Sequence, residues 1–168
     1  MKNILSLLFV SALLFTSCEG VQGPPGFDGI DGLDGGLIVS SAFEIEVDFN
    51  LANNYEIIEP YGFDVFEYDV TLVYVLWETA DGQDIWRLVP QSVEFIDGTL
   101  TYNYDFTQND VRVFLDGTTD FNLLSSEWTQ NQIFRVVVIP ADNVDGLDFL
   151  DMNAVMKANQ IESFKRKL

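Results

Sequence analysis

Apolar and polar residues alternate along much of this chain with a period of two. Phe43, Ile45, Val47 and Phe49 alternate with Glu44, Glu46 and Asp48. Leu100, Tyr102, Tyr104 and Phe106 alternate with Thr101, Asn103 and Asp105. That period gives a strand one wet and one buried face. Val70–Trp77 and Ile133–Ile139 are almost continuously apolar. They are predicted as central strands buried on both faces. Shorter strands are expected at Ile85–Val89, Val93–Ile96 and Val111–Leu115. Asp81-Gly82 and Asp97-Gly98 separate consecutive strands, and Asp116-Gly117 follows one. Asp-Gly supplies the positive φ angles of tight hairpins.

About seven strands with local antiparallel links favour an all-β fold, an antiparallel β-sandwich of immunoglobulin-like architecture. The cysteine pair of antibody domains is absent. Pro140 ends the last strong strand, and 142–146 reads as a loop. Asp148 or Asp151 is expected to cap a short C-terminal helix running to about Asn159, with Leu150, Ala154 and Val155 inward. The last residues, 164–168, read as a frayed basic tail, favourable near a helix C-terminus.

Before the strands the pattern is different. Ile4 to Phe15 is an apolar run that ends at Thr16-Ser17-Cys18, and Cys18 is the only cysteine. A bilayer span needs about 20 apolar residues, so this run is too short for one. Lys2 ahead of it and small residues behind it complete the pattern of an export signal over 1–17. Cys18 is the expected lipid-attachment residue. Acylation anchors the protein because each buried methylene contributes about 0.8 kcal/mol.

Gly20, Gly23, Gly26, Gly29, Gly32 and Gly35 then follow at an unbroken period of three. Only glycine fits the axis of a collagen triple helix. The tract is short and holds one Pro-Pro pair, and no lysine balances Asp28, Asp31 and Asp34. Residues 18–36 are therefore read as a lipidated cysteine with a collagen-like spacer carrying a monomer. A trimerising stalk is the alternative. The acids stand three apart and lack a closing glutamate, which does not suit a calcium loop. Residues 37–168 form the one globular domain, large enough for a core without disulfides.

Formal net charge is −19, and between Glu19 and Met156 the only basic residues are Arg87, Arg112 and Arg135. Nucleic acid as a partner is set aside, because phosphates need basic neutralisation. No histidine occurs in the chain. Ser-His-Asp and Cys-His nucleophile systems and the common zinc sites therefore lack their residues. No catalytic residue, metal ligand or cofactor is assigned, and the chain is read as a non-enzyme. Aromatic residues are the better lead. Trp77, Trp86 and Trp128, with Tyr61, Tyr68 and Tyr74, could stack on sugar rings. Trp77 and Trp86 flank the Asp81-Gly82 turn and are expected to pack as a cross-strand pair. Trp128 lies in a polar stretch and is the expected ligand-binding aromatic.

The lipoprotein signal, the tract opening Cys18-Glu19-Gly20 with Gly23-Pro24-Pro25-Gly26 inside it, and the acidic strand-rich domain resemble small collagen-like lipoproteins of Bacteroidota. Val136-Val137-Val138-Ile139-Pro140-Ala141-Asp142 and Met152-Asn153-Ala154-Val155-Met156-Lys157 are similar to the ending of those proteins. The resemblance implies a cell-envelope location, at the outer membrane, and brings no assigned activity or catalytic residues. The expected partners are the membrane, through lipid on Cys18, and a protein or glycan.

Overall fold

A computed structural model describes residues 41–167. The signal 1–17, Cys18 and the spacer to residue 36 lie outside the described residues.

The described residues form two antiparallel-based sheets and two short helices. Strands β1 (Ser41–Val47), β2 (Glu56–Pro60), β3 (Val70–Ala80), β4 (Gln83–Leu88) and β5 (Gln91–Phe95) come first. β6 (Gly98–Phe106), β7 (Asp110–Gly117), β8 (Gln132–Ile139) and β9 (Lys165–Arg166) follow. A one-turn helix α1 (Ser126–Thr129) precedes β8, and α2 (Met152–Ala158) follows it. The first sheet has the order β4-β3-β8-β1-β9 and the second β2-β7-β6-β5. No helix among the described residues is long and apolar enough to cross a membrane.

Alternation along β3 and β8 explains the layers. Val73, Val75, Phe134, Val136 and Val138 point into a core shared with Leu100, Tyr102, Val111, Val113 and Leu115 of the second sheet. Phe43, Ile45, Val47 and Phe49 join the same core, as their spacing predicts. Leu72, Tyr74, Val137 and Ile139 point the other way, under Met152, Val155 and Ile161. The sandwich is therefore backed by a third layer, and the two apolar runs are buried on both faces because α2 covers the outer one. Each such side chain contributes about 1.5–3 kcal/mol on burial.

All seven expected strands are present, and the described residues hold two more, β2 and β9, that the pattern does not predict. β2 carries only Glu-Ile-Ile-Glu-Pro, too short and too irregular in its alternation to stand out. β9 overturns the reading of the tail as frayed. It pairs in parallel with β1, Phe43 opposite Lys165 and Glu44 opposite Arg166. Arg166 meets Glu46 at 2.7 Å and Glu44 at 3.6 Å, and Lys167 meets Glu59 at 3.2 Å. Arg135 lies between the rings of Trp86, at 3.9 Å, and Phe164, at 4.4 Å. Acidic β1 thus holds the basic tail.

Other expectations need correction. Asp151 caps α2, accepting from the backbone N–H groups of Asn153 and Ala154 at 2.9 and 3.1 Å. Leu150 precedes that cap and is 74% exposed, so Met152 takes the inward place. Asp81 and Gly82 both adopt positive φ, 52° and 75°, at the β3–β4 turn. The β5–β6 turn instead pairs Phe95 with Gly98 and puts Ile96 and Asp97 at its tip. Asp116-Gly117 does close its strand, with Gly117 as the last residue of β7, paired with Leu100. At φ 134°, a Cβ on Gly117 would lie 1.9 Å from the Thr99 carbonyl oxygen, so glycine serves close approach there.

Candidate functional site

The segment that carries Trp128 is held from several sides. The Trp128 N–H donates to Ser125 O at 3.1 Å, closing the single turn of α1. Tyr102 Oη, from the second sheet, donates to Trp128 O at 2.7 Å. Just past the end of β1, Phe49 N–H donates to Thr129 O at 2.7 Å. Asn131 N–H donates to Asp48 Oδ1, also at 2.7 Å. Asn131 adopts positive φ, 52°, which lets the chain turn from α1 into β8. The ring of Trp128 is half-buried. It stands perpendicular to Phe95 at a centroid distance of 5.6 Å and edge-on to Trp77 at 6.4 Å. Such edge-to-face pairs are favourable beyond their buried area.

Trp77 and Trp86 are not a cross-strand pair. Leu76 faces Trp86, Glu78 faces Ile85, and the register shifts between them, leaving Trp77 at a bulge. Trp77 packs against the inner core and Trp86 against the outer one. A bulge re-aims a side chain in this way, and nothing in the spacing around Asp81-Gly82 announces it. Tyr61 and Tyr74 are buried, so neither offers a stacking surface, while Tyr68 is exposed. Tyr61 Oη shares a 2.8 Å hydrogen bond with Thr71 Oγ1, and Tyr74 Oη donates to Phe149 O at 2.7 Å. No tyrosine joins Trp128 in lining its groove.

That groove is open and measures about 380 Å³. Phe95, Leu123, Leu124 and Trp128 supply its apolar lining, and Asp97, Thr119, Ser125 and Glu127 its polar one. Leu123, 79% exposed, and the fully exposed Ile96 at the tip of the β5–β6 turn leave apolar surface at this end of the fold. Asp97 Oδ2 accepts from Thr119 Oγ1 at 2.7 Å and from Asp120 N–H at 3.3 Å. The Thr119 hydroxyl, then the Asp120 amide, hold the Asp97 carboxyl below its ordinary pKa. The carboxylate is thus ionised at neutral pH. Ser125 occupies the N-cap of α1, yet its hydroxyl makes no capping bond. Asp97, Phe95 and the 119–125 stretch had no signal in sequence as site residues. They meet Trp128 only because the β5–β6 turn and the β7–β8 connection lie at the same end of the sandwich.

The groove also has a place relative to the chain's entry. β1 runs from Ser41, opposite Val138, to Val47, opposite Gln132. Its seven residues span roughly 20 Å at about 3.4 Å each. Phe49 and Asp48 then touch the α1 segment, so Ser41 and the Trp128 groove lie at opposite ends of β1. Among the described residues, no group of three or more His, Cys, Asp or Glu side chains is placed to hold a metal ion. The fold is an all-β sandwich closed by a short helix, and comparison with known protein families, curated proteins and solved structures finds no match to this chain.

Proposed function

We propose that this chain is a lipid-anchored protein of the cell envelope, at the outer membrane, with a non-catalytic structural or interaction role. The observation that carries the reading is the apolar run Ile4–Phe15 ending at Cys18, the only cysteine, with the glycine-repeat spacer directly behind it. Acyl chains on Cys18 hold the protein to the membrane, residues 20–36 act as the spacer, and the sandwich is what they present. With no histidine in the chain and Cys18 given to lipid on this reading, the Ser-His-Asp and Cys-His sets are incomplete. Changing Cys18→Ala releases the protein into the soluble fraction; retention of the variant in the membrane fraction overturns the anchor. Light scattering on chains with and without residues 20–36 gives a monomer mass for both, and a trimer only in the longer chain would establish the stalk instead.

A second reading is favoured by one observation. The groove beside Trp128 pairs an aromatic wall with hydrogen-bonding groups, among them the exposed Ser125 hydroxyl, which makes no capping bond, and the exposed Glu127 carboxylate. Aromatic walls with a few placed polar groups suit sugar rings. On this reading the domain is a surface glycan-binding module. Tryptophan fluorescence during a glycan screen responds, and Trp128→Ala abolishes the response. Silence from every sugar overturns it.

A further inference from the structure

The Trp128 groove has one sign of charge. Asp97 and Glu127 line it, and neither lysine nor arginine does. Asp97 stays a carboxylate through its bonds to Thr119 and Asp120. The aromatic wall adds to this, because ring faces are negative and attract cations. The molecule already uses that attraction next door. The guanidinium of Arg87 lies 4.2 Å from the centroid of Trp77, which packs edge-on to Trp128. At about 380 Å³ the groove falls near the small end of the roughly 300–1,000 Å³ range of ligand pockets, which suits a short ligand rather than a long chain.

We propose that this groove takes a glycan unit bearing a free amine, its ring against Trp128 and its ammonium facing the carboxylates of Asp97 and Glu127. The inference rests on the glycan reading above and adds the charge class of the sugar. A neutral sugar would satisfy the ring and offer the two carboxylates no counter-charge. An acidic sugar would meet them directly, which costs affinity through like-charge repulsion.

The test uses the full chain at physiological ionic strength, with tryptophan fluorescence and calorimetry as readouts. The probes are a glucosamine oligomer, its N-acetylated counterpart, a galacturonate oligomer and tri-lysine. The glucosamine oligomer is expected to bind at least about tenfold tighter than the acetylated one, and the galacturonate oligomer not to bind. Glu127→Gln, an exposed change, is expected to remove most of that preference, and Trp128→Ala to abolish binding. Because Trp128 also packs on Phe95 and Trp77, Glu127→Gln and Ser125→Ala carry the test if Trp128→Ala does not fold. Equal binding of the free-amine and acetylated oligomers leaves the glycan reading standing and overturns the charge class. No binding by any sugar overturns both. Tri-lysine binding as tightly as the glucosamine oligomer also overturns the proposal, since the groove would then read charge alone, as a lysine-bearing protein partner would supply it.

Discussion

Tyr102 ties the site to the core through one hydroxyl. Its ring is buried among Phe49 and Phe134, at centroid distances of 6.2 and 6.0 Å, while its Oη reaches the backbone of Trp128. Burial pushes the phenol pKa of Tyr102 up, and likewise those of Tyr74, Tyr61 and Tyr104. The sign of the consequence follows from linkage. The unfolded chain ionises its tyrosines near pH 10, whereas these four remain neutral in the fold until higher pH. Their contribution to stability is complete below about pH 10 and is lost as pH rises toward the folded values. Denaturant midpoints should therefore hold from neutral pH up to that point and fall steeply above it. Tyrosinate absorbance from these four phenols should rise only above about pH 10, together with unfolding. A single step near the free-tyrosine value would contradict the burial.

At the scale of elements, what could be read from the chain was what repeats locally. The alternation at 43–49 gave β1 and its inward set, and the continuous runs gave β3 and β8 their central places. The Asp81-Gly82 turn formed with its expected backbone. What could not be read depended on partners far along the chain. The Trp77 bulge is set by how β3 meets β4, β9 exists only because acidic β1 receives it, and the groove is assembled from a turn and a connection separated by some twenty residues. Helix α2 shows the same division in two neighbouring residues. Asp151 announces the cap, but the choice between Leu150 and Met152 as the inward residue depends on the sheet beneath. Met152→Ala should cost about 2–5 kcal/mol by opening the outer core, and Leu150→Ala no more than about 0.5 kcal/mol. Chemical denaturation of the two variants checks this, and equal losses would place the helix differently.

The whole molecule is governed by its charge. A net charge of −19 on a chain of 168 residues repels itself, and the folded state brings those carboxylates closest. Added salt screens such repulsion over a Debye length of about 10 Å at 0.1 M. Thermal midpoints should accordingly rise as sodium chloride is added from low ionic strength. The tail's pairs with β1 and β2 respond in the opposite direction, but those at the surface contribute only about 0–1 kcal/mol each. A fall in midpoint with salt would mean that the tail pairs dominate.

The opposite placement of Ser41 and the Trp128 groove has a mechanical meaning. Suppose that the proposed lipid anchor holds the chain ahead of Ser41 while the proposed ligand grips the groove. The load then runs along β1, from the point where the chain enters to the place where the ligand sits. The hydrogen bonds joining β1 to β8 cross that direction, so they stretch together rather than parting one after another. On its other side β1 is also gripped by β9 and the basic side chains that follow it. A domain loaded in this way resists tension in shear, with the β1–β8 ladder parting as a unit.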